Sequence, residues 1–147
     1  MKTVIQRVKR AEVKVGGKEV AKIKKGLLLL LGIGIRDTSE DVDKLIGKVI
    51  NLRIFEDKDG KMNLSLKDIN GDIMVVPQFT LYADTAKGRR PSFENAKNPK
   101  DAKALFEEFL KRLRQEGFTV KSGIFGEHMA VSLENDGPVT IIVDTER

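Results

Sequence analysis

The sequence contains no cysteine and a single histidine, His128. Without cysteine there can be no disulfide framework, thiolate nucleophile or cysteine-ligated metal, which suits a reducing cytoplasm. One imidazole, with no Ser-His-Asp arrangement in evident reach, supports neither a hydrolytic triad nor a zinc site. We therefore interpret His128 as a surface or packing residue, and we expect no metal ion and no organic cofactor.

Long apolar segments are also missing. The longest run, residues 27–35, is interrupted by Gly32 and Gly34 and is too short to cross a bilayer. The N-terminus lacks the apolar stretch of a signal peptide. Gly32-Ile33-Gly34 has no third glycine at the spacing of a dinucleotide-binding motif, so we assign it a structural role. The sequence predicts a soluble protein of one domain, residues 1–147, with a sizeable core.

The chain is rich in charge, with 33% charged residues and a formal net charge of +5. Such a surface is typical either of a protein that binds a polyanion or of a heat-stable protein laced with ion pairs. The distribution is uneven, because Lys87, Arg89 and Arg90 lie in one polar loop within residues 82–98. Long loops of this kind are usually functional or mobile.

Apolar periodicity predicts mostly strands. Residues 2–15 alternate in two phases, which requires a bulge or bend near Lys9-Arg10. Gly16-Gly17 indicates a hairpin turn, and the unbroken run 27–31 indicates a strand buried on both faces. Further strands are predicted at 20–24, 52–55, 73–76, 118–120, 129–133 and 139–143.

Two segments have helical periodicity. The first begins at Thr38 or Ser39, with Asp41 placed for a capping box. The second begins at Asn98-Pro99, an N-cap residue followed by a first-turn proline, and ends at Gly117. Two helices cannot cross over every strand pair. We therefore expect an α+β domain with a strand-rich, barrel-like sheet and two main amphipathic helices.

Two short segments do not resemble ordinary core. In residues 77–81 the Gln78 amide and the Thr80 hydroxyl flank Phe79. In residues 135–140 the Gly137-Pro138 bond can adopt the cis form at modest cost, although a trans turn between two strands is the commoner outcome. Together these segments predict a pocket built largely from backbone.

Six segments in register carry a resemblance to a known family. They are Gln6-Arg7-Val8, Leu52-Arg53-Ile54-Phe55, Gly60-Lys61-Met62-Asn63-Leu64-Ser65, Pro77-Gln78-Phe79-Thr80-Leu81, Lys87-Gly88-Arg89-Arg90-Pro91-Ser92-Phe93 and Asn135-Asp136-Gly137-Pro138-Val139-Thr140. Their order resembles that of D-aminoacyl-tRNA deacylases over nearly the whole chain. The resemblance implies that family's fold and the hydrolysis of the ester bond of D-aminoacyl-tRNA, a chiral proofreading reaction.

The resemblance also implies a set of site residues. Gln78, Phe79 and Thr80 would line the aminoacyl pocket. Gly137 and Pro138 would form a Gly-cisPro element inserted into the active site of the other subunit of a homodimer, where backbone carbonyls exclude L side chains. Pro77 stands where most members have serine, so no hydroxyl role can apply there.

Two further residues have alternative interpretations. Arg7 is either a charge on a strand surface or, as we favour, a residue that holds the Gly-Pro loop and so serves L-amino-acid rejection. Met129 either lines the substrate pocket or fills core, and packing is the simpler role for a methionine.

The chemistry expected at Thr80 follows from the absence of an adjacent base, which leaves its hydroxyl a weak nucleophile. We favour attack by water, with a ribose hydroxyl as a possible aid and the oxyanion stabilised by backbone N–H groups near Phe79 and Thr80; a covalent Thr80 intermediate is the less favoured alternative. Exclusion by backbone also predicts that glycyl-tRNA is accepted. Lys87, Arg89 and Arg90 are expected to contact tRNA phosphates without reading bases.

Two alternative functions remain at this stage. A non-enzymatic RNA-binding module would account for the charge but gives no role to the Gly137-Pro138 segment. A small-ester or peptide hydrolase would need a catalytic base that the sequence does not offer.

Overall fold

A computed structural model describes residues 1–146, so the last residue of the predicted domain, Arg147, lies outside the described part. The strands are β1 (Lys2–Val15), β2 (Lys18–Ile23), β3 (Gly26–Gly32), β4 (Phe55–Glu56), β5 (Met62–Leu64), β6 (Asp72–Pro77), β7 (Val120–Ser122) and β8 (Ala130–Asp144). The helices are α1 (Ser39–Asn51), α2 (Leu66–Ile69) and α3 (Pro99–Gln115), with a 3₁₀ turn at Phe79–Tyr82.

Six of the strands form one mixed sheet. Its order is β2-β1-β3-β6-β7. Strand β2 pairs with residues 11–15 of β1 and β3 with residues 2–8, and β8 pairs along the opposite edge of β1. The β1 pairs are antiparallel, whereas β3, β6 and β7 run parallel to one another. Because β2 also approaches β6 and β7, the sheet curls into a nearly closed barrel. The predicted α+β class with a barrel-like sheet is confirmed.

Strand β1 changes faces along its length, as its two-phase pattern predicts. Ile5 packs in the cluster that lies under the helices, whereas Ala11 and Val13 pack in a second cluster. The register against β8 shifts between Gln6 and Val8 and again between Val8 and Arg10. A single long strand therefore contributes to both cores.

The two main helices form where their caps predict. Thr38 and Asp41 form the capping box of α1, and the predicted apolar stripe of that helix is buried. The side chain of Asn98 accepts from the Asp101 amide at 3.0 Å at the start of α3. Apolar residues of both helices pack in one cluster with residues of the sheet. Within residues 1–146, none of the helices combines the length and apolarity needed to cross a membrane.

Three predictions for local structure were wrong. Only Phe55–Glu56 of the segment 52–55 is a strand, and the closing strand predicted at 118–120 is found at Val120–Ser122. The helix Leu66–Ile69 was not predicted, because four residues are too few to show helical periodicity; it begins after the capping residue Ser65. The predicted strands 129–133 and 139–143 are one strand, β8, because pairing with β1 resumes beyond the Gly-Pro pair.

Candidate active site

The parallel strands bring three chain segments to one edge of the sheet. Strands β3, β6 and β7 run in the same direction and end at Gly32, Pro77 and Ser122. In parallel sheets, ligands bind in the crevice outside the carboxyl ends of the strands. The segments that follow these three ends are therefore where a site is expected on topological grounds.

A cavity of about 610 Å³ opens at this edge. That volume lies within the range of small-molecule sites, which are mostly apolar with a few polar groups. Its walls are Leu31, Ile33, Val76, Pro77, Gln78, Phe79, Phe93, Ala96, Lys97, Asn98, Pro99, Ala102, Phe125, Gly126, Glu127, His128, Met129 and Val131. Three phenylalanines and few charges make the cavity suited to a largely apolar or aromatic group.

The polar part of one wall comes from the 3₁₀ turn and the residue before it. The backbone N–H of Gln78 donates to the carbonyl oxygen of Leu31 at 2.8 Å, which fixes the turn to the end of β3. The side-chain amide of Gln78 donates to Thr80 Oγ1. That hydroxyl retains its own proton and can donate to, or orient, a second group. The structure thus brings Gln78, Phe79 and Thr80 together, although Thr80 itself stands beside the cavity lining.

The N–H groups of Phe79 and Thr80 have no hydrogen-bond partner within the turn. Phe79 and Thr80 are its first two residues, and a 3₁₀ turn bonds each N–H only to the carbonyl three residues earlier. Donors of this kind are available to an external acceptor such as a developing oxyanion. The turn therefore offers one hydroxyl and backbone donors on adjacent residues.

Met129 occupies both of the positions considered for it. It lines the cavity and also packs, half-buried, against the second apolar cluster. Gly123 makes this possible, because a Cβ at that glycine would lie 2.5 Å from Met129 Sδ. Met129 can therefore occupy this part of the wall because residue 123 has no side chain.

Arg7 is buried, with 4% of its surface exposed, and it holds the Gly-Pro segment. Its Nε donates to the carbonyl oxygen of Asp136 at 2.8 Å, and Nη1 donates to that of Ile54 at 2.6 Å. Of the two interpretations, the strand-surface charge is wrong. Arg7 instead connects the residue before Gly137 to the loop before β4.

The Gly-Pro segment is a bulge of β8. Gln6 pairs with Thr140 and Val8 pairs with Asn135, so residues 136–139 stand opposite Arg7 alone. The Gly137–Pro138 peptide bond is cis, and Gly137 has φ 138°, a value that favours glycine. Neither Gly137 nor Pro138 lines the cavity of its own chain. One chain therefore does not place this element in the cavity that its Gln78 and Phe79 line.

The basic loop, residues 85–91, is joined at its base to the residue before Phe93, which lines the cavity. Asp84 and Ser92 exchange two backbone hydrogen bonds of 2.8 and 2.9 Å, which close its base. The ring of Phe93, just past that base, meets Phe79 edge to face at 5.0 Å between centroids. The three cations expected to bind phosphate are exposed, and none forms an ion pair with a carboxylate of residues 1–146: Lys87, Arg89 and Arg90.

Sequence reasoning missed several residues of the cavity wall. His128, interpreted as a surface or packing residue, is exposed and lines the cavity beside Glu127 and Met129. The sequence offered one signal for this role, since His128 directly precedes Met129, which was already a candidate pocket residue. Over the described residues 1–146, no three acidic or histidine side chains are grouped so as to hold a metal ion.

A family model and the most similar relatives agree on one family for this chain. The model of the family described as D-Tyr-tRNA(Tyr) deacylase matches residues 4–144. A D-aminoacyl-tRNA deacylase of Thermosipho melanesiensis is 53% identical over 100% of this chain and 99% of its own length. One of Aquifex aeolicus is 54% identical over 99% of this chain and 98% of its own.

Two solved structures have the same fold. One, described as a c-Myc DNA Unwinding Element Binding Protein, has a TM-score of 0.93 and 40% identity, with 99% of each chain covered. The other, described as a probable eukaryotic D-amino acid tRNA deacylase, has a TM-score of 0.81, with 97% of each chain covered. At 22% identity the second establishes the fold alone.

Proposed function

Since the chain belongs to the D-Tyr-tRNA(Tyr) deacylase family, we propose that it hydrolyses the ester bond of D-aminoacyl-tRNA, releasing the D-amino acid and free tRNA. The observation that carries this proposal is the family match over residues 4–144, which includes the segments around the cavity. The reaction is a chiral proofreading step, and it takes place in the cytoplasm, where aminoacyl-tRNA is used.

The proposed chemistry uses water as the nucleophile. The water oxygen attacks the ester carbonyl carbon, and the carbonyl oxygen becomes an oxyanion that accepts from the N–H groups of Phe79 and Thr80. One such donor is worth about 3 kcal/mol of transition-state stabilisation. Thr80 Oγ1, oriented by the Gln78 amide, positions the water. The carbonyl then re-forms as the C–O bond to the ribose breaks, and the ribose oxygen takes the proton that the attacking water gives up, leaving the free amino acid and tRNA.

Selection against L-amino acids is assigned to the Gly137-Pro138 bulge of a second copy of the chain. In a homodimer, this bulge enters the cavity of the partner and its backbone carbonyls face the substrate α-carbon. The absence of Gly137 and Pro138 from the cavity of their own chain favours this arrangement over one within a single chain. A wall of main-chain atoms held by buried Arg7 cannot move aside as a side-chain rotamer would.

Exclusion by backbone has a consequence for the smallest substrate. Glycine has no side chain of either hand, so the wall has nothing to reject. Glycyl-tRNA is therefore deacylated to some extent. Recognition of the D side chain itself would instead exclude glycine.

Binding of the tRNA is assigned to the basic loop. Lys87, Arg89 and Arg90 are exposed in a loop whose base adjoins Phe93 of the cavity wall, and there they can contact phosphates of the acceptor end. Contacts of this kind supply affinity and orientation and carry no sequence information.

A second candidate is a nucleic-acid-binding protein without turnover. The net charge of +5 and the DNA-binding description of a 40%-identical structure favour it. It leaves the 610 Å³ cavity without a role.

Deacylation of D-, L- and glycyl-tRNA, measured side by side, tests the proposal. We expect turnover of the D and glycyl substrates and little of the L substrate. Equal rates on D and L substrates would contradict the exclusion mechanism. Nucleic-acid binding without turnover of any substrate would favour the second candidate. A free D-amino acid ester, hydrolysed as fast as the tRNA-bound one, would identify a small-ester hydrolase instead.

A further inference from the structure

The Gly32-Ile33-Gly34 segment, which fits no dinucleotide motif, packs against the 3₁₀ turn. A Cβ placed on Gly32 would lie 3.0 Å from both the carbonyl oxygen of Gln78 and the Cβ of Leu81. It would also lie 3.3 Å from Cδ2 of Tyr82. The backbone at Gly32 thus touches the first residue before the turn and two residues within it. An added methyl group would shift the turn by a few tenths of an ångström.

Gly34 makes a closer approach to the last residue of the turn. A Cβ at Gly34 would fall 2.5 to 2.6 Å from the Cζ, Cε1 and Oη atoms of Tyr82. Tyr82 is buried, so a methyl group on Gly34 would have to displace a packed ring. The space over Gly34 is occupied by the tyrosine ring, and the two positions are sterically coupled.

The Asp37 carboxylate links Gly34 and Tyr82 by accepting hydrogen bonds from three donors. Its Oδ2 accepts from the Gly34 amide at 2.5 Å and from the Tyr82 hydroxyl at 3.2 Å. Its Oδ1 accepts from the ammonium group of Met1 at 2.6 Å. The carboxylate is buried, and hydrogen bonds to charged groups in such surroundings are the strong ones. Burial and the neighbouring Asp37 raise the pKa of the Tyr82 hydroxyl, so it stays protonated as a donor.

These contacts lie behind the cavity and not in it. Gly32, Gly34, Asp37 and Tyr82 are all absent from the cavity lining, whereas Gln78 and Phe79 belong to it. Any effect of these four residues on substrate is therefore indirect, through the turn or through Ile33 and Ala96, which also line the cavity. Misplacement of a reacting group by about 1 Å can reduce a rate roughly 100-fold.

We infer that Gly32, Gly34, Asp37 and Tyr82 are positioning residues that set where the turn holds the Thr80 hydroxyl and the N–H groups of Phe79 and Thr80. This inference rests on the proposed deacylase function. It gives Gly32, at the end of β3, and Gly34, just beyond it, a role in the reaction as the residues against which the 3₁₀ turn packs.

The test uses two small changes and a matched control in the full-length protein. Tyr82→Phe removes only the hydroxyl that donates to Asp37. Gly32→Ala adds only the methyl group that crowds Gln78 and Leu81. Gly47→Ala is the control, because Gly47 is exposed in α1 and a Cβ there meets nothing within 4 Å.

Two kinds of measurement separate positioning from binding. The first kind compares two quantities. The single-turnover rate on saturating D-aminoacyl-tRNA reports the chemical step, and the affinity for a non-cleavable amide-linked analogue reports binding. Tyr82→Phe and Gly32→Ala should each lower the rate about tenfold and change the affinity less than about twofold. The second is the backbone ¹H–¹⁵N shift of Thr80 and Leu81, which both variants should move and Gly47→Ala should not.

The outcomes distinguish this inference from the proposed function. Wild-type rates in folded Tyr82→Phe and Gly32→Ala variants would overturn it, and so would a loss of affinity as large as the loss of rate. If the wild-type protein has no deacylase activity, the proposed function fails. Because the inference concerns that reaction, it would then be overturned too, whereas an active wild type with unaffected variants overturns the inference alone. Should one variant fail to fold, the other decides the outcome.

Discussion

Arg7 Nε donates to the carbonyl oxygen of Asp136 at 2.8 Å, joining residues that are 129 positions apart in the chain. The same guanidinium donates to the carbonyl of Ile54, so a single buried side chain connects β1, the loop before β4 and the bulge of β8. Asp136 directly precedes Gly137. The placement of the bulge therefore depends on a residue that belongs to another strand.

Replacement of Arg7 by lysine should weaken this connection. An ammonium group cannot reproduce the planar fork of the guanidinium, so at least one of the two buried carbonyls loses its partner. We expect a loss of about 1–3 kcal/mol in the free energy of unfolding, and a lower ratio of D- to L-aminoacyl-tRNA deacylation. Thermal unfolding and paired deacylation assays measure the two effects.

Arg10→Lys is the matched control for this change. The Arg10 side chain is exposed and pairs with Glu134 at the surface, where ion pairs contribute little. A folded Arg7→Lys protein with the wild-type D-to-L ratio would show that Arg7 has no part in selection.

Thr80→Val removes the hydroxyl while retaining the shape of the side chain. If Thr80 positions an attacking water, the single-turnover rate should fall about 100-fold and no acyl-enzyme should accumulate. Backbone donors would still stabilise the oxyanion, so some activity should remain. Thr119→Val, at an exposed position before β7, is the control. An acyl group trapped on Thr80 in the wild-type enzyme would instead establish covalent catalysis.

The double variant Arg89→Glu with Arg90→Glu should weaken tRNA binding at low salt. If each arginine contacts one phosphate, the slope of log affinity against log salt should decrease by about 2. The control is Lys58→Glu with Lys61→Glu, which reverses the same charge on exposed residues of a different turn. Equal effects of the two double variants would mean that net charge, and not the loop, determines affinity.

The short helix α2 should contribute an acid-sensitive part of the stability. Hydrogen bonds from the Ser65 backbone and hydroxyl, at 2.7 and 2.8 Å, lower the pKa of Asp68. A depressed folded-state pKa means that the stabilisation is present above the unfolded pKa of about 4 and is lost as the pH falls through the folded value.

Asp68→Asn should therefore reduce the free energy of unfolding at pH 6 and flatten its decline below pH 4. Chemical denaturation between pH 2 and 6 measures both. Asp59→Asn removes one exposed carboxylate without touching this cap and is the control. If the two variants have the same acid profile, the Ser65–Asp68 cap does not contribute.

The main helices could be predicted because their signals are local. The cap residues Thr38 and Asn98 and the apolar stripes lie within single segments, and tertiary contacts reinforce what those segments prefer. The turn at Gly16-Gly17 is equally local, because both residues adopt positive φ, which glycine allows whatever its tertiary surroundings. The α+β class followed from counting such elements.

The cavity could be predicted only in part because it depends on the order of strands. Gln78 and Phe79 were identified from one segment, but Ile33 and His128 reach the same wall only because β3, β6 and β7 are parallel neighbours. No local pattern encodes that adjacency. Likewise, a Gly-Pro pair usually ends a strand, and β8 continues because its extra residues are accommodated opposite Arg7.

The bulge of β8 is bordered on both sides by residues paired to β1. Its projecting backbone is therefore ordered by the sheet before any neighbour approaches it. A molecule that docks against this projection does not have to immobilise a flexible arm, so little conformational freedom is lost on contact. Under the proposed function, a rigid backbone of this kind would let a few main-chain atoms distinguish mirror-image ligands without a large contact area.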